Sequence, residues 1–155
     1  MCCSKRCMAT MAKSSRALAA IMMLLSVSAL CGCGKEYFCD VPVGDATCQI
    51  DPNSPLYPGL NTMSSYEYIY GGHQGIVVIR TAWDEFVAYE RTCPHDHELL
   101  EMDEAYGNLV LACPECGSKF STFGDGFPLD GSLTSCPLYQ YPTYYDGLLL
   151  HISNY

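Results

Sequence analysis

Two short cysteine-containing segments, separated by an apolar stretch, constrain the fold of this chain more than any other feature. The first reads Cys93-Pro94-His95, and the second reads Cys113-Pro114-Glu115-Cys116-Gly117. Proline and glycine favour tight loops, and the apolar residues 109–112 between the two segments are typical of a strand. Loops at the ends of neighbouring strands bring soft ligands to one point. The sequence therefore predicts a metal centre formed by Cys93, His95, Cys113 and Cys116.

The remainder of the chain after residue 60 also predicts β structure. Runs rich in aromatic and β-branched residues occupy 66–70, 76–80 and 86–91, and turn-forming residues separate them. Residues 119–123 are another candidate strand, and residues 139–144 and 147–152 favour a closing hairpin around Asp146-Gly147. A candidate helical turn lies within residues 98–105. About six to eight short strands predict an all-β domain, either an antiparallel sandwich or a small barrel.

The N-terminal segment is predicted to be a signal peptide. Four basic residues precede an apolar run from residue 17 to 30, which is too short to span a bilayer comfortably. The run ends in Leu30-Cys31-Gly32-Cys33, which resembles the bacterial lipoprotein box. We therefore expect cleavage before Cys33, lipidation of Cys33, and an extracytoplasmic, membrane-anchored bacterial lipoprotein. An uncleaved membrane anchor is the alternative.

These features divide the chain into three parts. They are a lipoprotein signal peptide (1–32), a tether with an N-terminal segment (33–60) and the β domain (61–155). After residue 32 the chain has four basic and 17 acidic residues, a net charge of −13. Such an acidic surface repels phosphate backbones, so we expect no nucleic-acid partner. The charge suits solubility and is compatible with a basic protein partner.

Seven cysteines follow residue 32, and the expectations above assign four of them. Cys33 is assigned to lipidation and three others to the metal centre, which leaves Cys39, Cys48 and Cys136. Outside the cytosol we expect a disulfide between two of these three, and the local pair is Cys39–Cys48. One thiol then remains without an assignment.

The pattern Cys-Pro-His, a spacer, and Cys-Pro-x-x-Gly-Ser-x-Phe resembles the Rieske [2Fe–2S] domain. The resemblance covers residues 76–152, and Asp125-Gly126 and Pro137-Leu138 match the family downstream of the second box. It implies a Rieske-like β fold with two metal-binding hairpin loops, each of which gives one Cys and one His. Carried over by position, Cys93 and Cys113 would hold one iron and His95 the other.

Cys116 departs from this pattern because it stands where the family has histidine. Thiolate also binds iron, so the resemblance implies a [2Fe–2S] cluster with three Cys ligands and one His ligand. Rieske potentials lie at about −150 to +300 mV and those of all-thiolate plant-type clusters near about −400 mV, so we expect a value between them. No segment resembles the mononuclear iron domain of Rieske oxygenases. The implied function is one-electron transfer with a redox protein partner, rather than that of a stand-alone enzyme.

Zinc is the alternative, because Cys113-Pro-Glu-Cys116-Gly is also the knuckle of zinc ribbons. A zinc site with three Cys ligands and either His95 or His97 would be structural. Iron–sulfur proteins are normally exported folded by the twin-arginine route, and this signal has no Arg-Arg pair. The alternative function is therefore a zinc-stabilised or metal-free binding lipoprotein with no redox role. The loop residues Asp96, His97 and Glu98 could hydrogen-bond a ligand or replace one.

Overall fold

The structure, a computed structural model, describes residues 39–154. The predicted signal peptide and Cys33 therefore lie outside the described residues. Within 39–154 the chain forms ten strands, two single-turn 3₁₀ helices (Pro58–Leu60 and Glu104–Tyr106) and no α-helix. None of the described helices is long and apolar enough to span a membrane. The predicted all-β class is confirmed.

The strands are β1 Cys48–Ile50, β2 Ser65–Ile69, β3 Ile76–Ala82, β4 Glu85–Glu90, β5 Glu101–Met102, β6 Val110–Ala112, β7 Lys119–Ser121, β8 Gln140–Tyr141, β9 Thr143–Tyr145 and β10 Leu150–Ile152. They form three antiparallel sheets with the orders β1-β10-β9, β2-β3-β4-β8 and β5-β6-β7. The central sheet is the largest, and its strand β4 leads directly into the first cysteine box.

Strand β3 lies between two hydrophobic cores, because successive side chains of a strand point to opposite faces. Ile76 and Val78 belong to one core, which includes residues of β1 and β10. Val77 and Ile79 belong to the other. All four side chains are buried, and full burial of such a side chain contributes about 1.5–3 kcal/mol.

The second core supports both cysteine boxes. Cys93 and Cys113 belong to it, together with Leu100, Leu111 and Phe120. These three apolar residues come from just after the first box and from the strands that flank the second box. The core therefore fixes the two boxes relative to each other.

The predicted strands are observed with shifts of one to three residues at their ends, apart from two differences. Residues 139–144 are not continuous, because Pro142 has no N–H group to donate and lies between β8 and β9. Residues 98–105 do not form one helical turn. Glu101–Met102 is a strand, and the 3₁₀ helix that follows is capped by the Asp103 side chain and ends at Gly107, whose φ is 63°.

Two of the three unassigned cysteines form a disulfide, as expected, but the local choice Cys39–Cys48 is wrong. Cys39 instead forms a disulfide with Cys136, 97 positions away, with a Cα–Cα distance of 5.5 Å. Cys48 is a free thiol because it lies on β1, where it is paired in register with Ile152 of β10. The pairing of β1 with β10 fixes the position of Cys48, so the short sequence distance between Cys39 and Cys48 does not decide the disulfide.

Candidate metal centre

The first cysteine box forms a loop of six residues, 93–98, which we call the first box loop. The N–H of Cys93 donates to the carbonyl of Glu98 at 2.8 Å, and the N–H of His97 donates to the carbonyl of Cys93 at 3.0 Å. Pro94 fixes its own φ, and His97 has a left-handed backbone with φ of 63°. These bonds close the loop and return the chain towards β5.

The second cysteine box, residues 113–118, forms a loop with the same hydrogen bonds, which we call the second box loop. The N–H of Cys113 donates to the carbonyl of Ser118 at 2.8 Å, and the N–H of Gly117 donates to the carbonyl of Cys113 at 2.9 Å. Gly117 takes the left-handed position, with φ of 75°. The two loops are thus equivalent position by position, although their sequences differ.

The two loops bring four metal-binding side chains together. The sulfur atoms of Cys93 and Cys116 are 3.8 Å apart, and the carboxylate oxygens of Asp96 are 3.4 and 3.5 Å from the sulfur of Cys113. One donor atom from each of these four residues lies within 4.8 Å of all the others. Cys93 and Cys113 are buried, whereas Asp96 and Cys116 are half-buried. The group therefore has two covered donors and two nearer the surface.

Three of the four ligands predicted from the sequence belong to this group, and His95 does not. His95 is exposed, and its backbone N–H donates to the sulfur of Cys93 at 3.4 Å. His97 is also exposed, and its Nε2 lies 3.2 Å from the carbonyl oxygen of Asp40. The fourth member of the group is Asp96, one of the three loop residues for which the sequence leaves open a hydrogen bond to a ligand or the place of a ligand.

Burial and hydrogen bonding set the protonation of these donors. Burial raises the pKa of Cys93 and that of Cys113, although backbone N–H groups of their own loops act in the opposite direction. Burial also acts to raise the pKa of Asp96, but hydrogen bonds from Cys93, Glu98 and the other two thiols lower it overall. A thiol binds metal as the thiolate, so metal binding here releases protons from the cysteines.

Serine side chains hold the chain segment 132–133 against the second box loop. Ser118 is buried, and its hydroxyl accepts a hydrogen bond from the N–H of Leu133 at 3.0 Å. The Ser132 hydroxyl accepts from the N–H of Lys119 at 3.0 Å and donates to the carbonyl of Lys119 at 2.8 Å. These bonds position the second box loop from the side of β7.

Comparison with known proteins identifies the family. Residues 61–138, half of the chain, match the sequence profile of the Rieske [2Fe-2S] domain. Among solved structures, the ferredoxin of carbazole 1,9a-dioxygenase from Nocardioides aromaticivorans IC177 is similar, with 18% sequence identity and a TM-score of 0.44. The alignment covers 75% of this chain and 100% of the ferredoxin. No curated protein matches the sequence. The profile match places both box loops within one domain, and the chain therefore belongs to the Rieske [2Fe–2S] domain family.

Proposed function

We propose that this protein is a lipid-anchored, extracytoplasmic electron carrier that holds a [2Fe–2S] cluster between its two box loops. The observation that carries the proposal is the convergence of three thiols, Cys93, Cys113 and Cys116, in a domain of the Rieske family. Thiolates are the ligands that iron–sulfur clusters use most. The second box retains a good iron ligand where the family has histidine.

The residues present fit the chemistry of a cluster. Cys93, Cys113 and Cys116 supply soft donors, and the first box loop adds two candidate donors, Asp96 and His95, of which His95 lies at the family's histidine position in the first box. Cys93 and Cys113 are 0% and 1% exposed, so the core excludes water from two of the sulfurs. When bound, the cluster would supply one-electron oxidation and reduction. The chain itself binds the cluster, covers it and sets its potential through the ligands and their hydrogen bonds.

Two features support an extracytoplasmic location. The Cys39–Cys136 disulfide is of the kind that persists in oxidising compartments. The sequence before the described residues has the pattern of a signal peptide, with a predicted lipidation site at Cys33. We propose that the lipid on Cys33 attaches the domain to a membrane.

The proposed partner is a redox protein with a basic contact surface. The net charge of −13 after residue 32 attracts such a partner and favours fast association. Phe123, Phe127 and Leu133, which follow the second box loop, are 58–61% exposed. Exposed apolar side chains of this size can pack in a protein contact.

Elemental and spectroscopic analysis tests the function. The full-length chain, purified without oxygen, should contain about two irons and two acid-labile sulfides and show an electron paramagnetic resonance signal after reduction. The variant C113S should lose iron and sulfide together. A colourless wild-type protein that takes up no iron during anaerobic reconstitution would contradict the proposal.

A structural zinc site is the second candidate, and the compactness of the donor group favours it. Zinc bonds of about 2.3 Å to sulfur and about 2.0–2.2 Å to oxygen place tetrahedral donors roughly 3.5–3.8 Å apart. The separations of 3.8 Å between the sulfurs of Cys93 and Cys116 and 3.5 Å between the Cys113 sulfur and a carboxylate oxygen of Asp96 match these edges. If protein purified from cells with ample iron contains one zinc per chain and no sulfide, the structural zinc site is the correct assignment.

A further inference from the structure

We propose that Asp96, rather than His95, supplies the fourth ligand of the metal centre. The ligands are then Cys93 and Asp96 from the first box loop, and Cys113 and Cys116 from the second. This inference rests on the proposed function in one respect, namely that the centre binds a metal. It gives a carboxylate the place that the family gives to a histidine, and it selects Asp96 from the three loop residues for which the sequence leaves that role open.

The equivalence of the two loops carries the first step. Asp96 is the third residue after Cys93, and Cys116 is the third residue after Cys113. Both loops have the same closing hydrogen bonds. In both, the fourth residue after the cysteine, His97 or Gly117, has a left-handed backbone. In both, the backbone N–H groups of the second and third residues point at the sulfur of the leading cysteine. Asp96 therefore occupies the position in the first box loop that Cys116 occupies in the second box loop.

Exposure at these positions gives the second step. The third residues of the two loops, Asp96 and Cys116, are both half-buried, whereas the second residues, His95 and Glu115, are both exposed. The loop conformation thus directs its second side chain outward and its third side chain towards the opposite loop. His95 would have to leave its exposed position to bind, and Asp96 would not.

The distances give the third step. Both carboxylate oxygens of Asp96 are within 3.5 Å of the Cys113 sulfur, and the four donors already form one compact group. Carboxylate oxygen is an established ligand of both iron and zinc. Asp96 also brings a charge, whereas a histidine ligand is neutral. The bound centre is then one unit more negative, and its oxidised form is favoured relative to that of a histidine-ligated centre.

Matched variants of the full-length chain test the ligand. D96N keeps the size of the side chain and an oxygen that accepts from the N–H of Glu98, a bond of 3.2 Å in the wild type, but it removes the anionic donor. We expect D96N to lose metal at least about tenfold more readily to a competing chelator, since even supporting residues of metal sites contribute 10–100-fold. H95Q should retain metal as the wild type does. D96C, which gives both loops two thiols, should restore binding.

Labelling tests the same point without a substitution, so it does not depend on whether a variant folds. Wild-type protein is prepared with [15N]histidine, reduced and studied by pulsed electron paramagnetic resonance. If Asp96 is the ligand, no strongly coupled histidine nitrogen is found. A strong coupling that disappears in H95Q would overturn the assignment, as would loss of metal from H95Q with retention by D96N.

These outcomes separate the ligand assignment from the proposed function. Wild-type protein that binds neither iron nor zinc overturns both. Zinc in place of iron and sulfide overturns electron transfer, while metal retention by D96N and H95Q, with circular dichroism to confirm folding, still decides the ligand. Iron and sulfide in the wild type, together with loss of metal from H95Q alone, overturn only the role of Asp96.

Discussion

The buried carboxylate of Glu90 connects the strand that precedes the first box loop with its surroundings. One oxygen accepts from the N–H of Gln74 and from both the N–H and the hydroxyl of Thr92, at 2.8–3.1 Å. The other accepts from the N–H of His73 at 2.7 Å and from the hydroxyl of Tyr141 at 2.6 Å. Glu90 is 0% exposed, so these bonds replace the hydrogen bonds to water that the carboxylate loses on burial. The network fixes the end of β4 immediately before Cys93.

Both oxygens of Glu90 accept bonds, and this predicts a large cost for the substitution E90Q. In either orientation of the glutamine amide, the NH₂ group replaces an oxygen that accepted hydrogen bonds, so the donors that faced this oxygen lose their acceptor. Each unsatisfied buried donor costs about 1–3 kcal/mol, so E90Q should lower the free energy of unfolding by at least about 2 kcal/mol in urea titrations. The control is E85Q at an exposed position of the same strand, which should change it by less than about 0.5 kcal/mol. Equal effects of the two substitutions would show that the network is not stabilising.

At the scale of elements, the β9–β10 hairpin depends on one aspartate in its turn. The Asp146 carboxylate accepts from the N–H groups of Leu148 and Leu149 at 2.9 and 2.7 Å, and it lies 2.9 Å from Nε2 of His151. The hydrogen bond with His151, followed by the two backbone bonds, lowers the pKa of Asp146 from its usual 3.8 to about 2. The folded state therefore favours the charged carboxylate.

A lowered pKa sets the direction of the pH dependence. The stability that Asp146 contributes is fully present above the unfolded pKa of 3.8, and it is lost as the pH falls through the folded pKa of about 2. We expect D146N to make the decrease of unfolding free energy between pH 4 and pH 2 shallower than in the wild type. H151A should reduce that decrease in part, because the two backbone bonds remain. Parallel curves for wild type and D146N, from urea unfolding at each pH, would contradict this expectation.

The positions of most strands along the chain could be predicted from the sequence because they depend on local composition. Aromatic and β-branched runs became β2, β3 and β4, and Asp146-Gly147 became the turn of the closing hairpin. The helical turn predicted within residues 98–105 is found only at the end of that range, in the 3₁₀ helix Glu104–Tyr106, because Glu101 and Met102 pair with β6, a contact between separate segments. Tertiary pairing of this kind leaves no mark in local composition.

The cysteine ligands of the candidate site could be predicted from the sequence. Cys93, Cys113 and Cys116 converge as the spacing indicated, because both boxes end strands that pack on one core. Asp96 was predicted only as one of three alternative ligands, because the resemblance to the family aligns His95, not Asp96, with a ligand. The available signal was the shared Cys-Pro start of the two boxes, which aligns Asp96 with Cys116 once the loops are taken as equivalent.

At the scale of the whole molecule, the Cys39–Cys136 disulfide joins the start of the described chain to the segment before β8. Its partners are 97 positions apart, and the closed loop contains both box loops. A cross-link over a loop of this length restricts the unfolded chain strongly, with a stabilisation of about 2–5 kcal/mol. Neither cysteine belongs to the donor group, so the disulfide can act on stability without supplying a ligand.

The double substitution C39S/C136S should therefore lower the unfolding free energy by about 2–5 kcal/mol, while the folded variant retains its metal. Reduction of the wild-type disulfide under conditions that preserve the centre should have a similar effect on stability. C48S is the control, because Cys48 is a free, half-buried thiol on β1, and its loss should cost less than about 1 kcal/mol. A peptide map of the non-reduced protein that links Cys39 to Cys48, or a C48S variant as unstable as the double variant, would contradict the pairing. The disulfide would then close only a short N-terminal loop, and it would not enclose the two box loops.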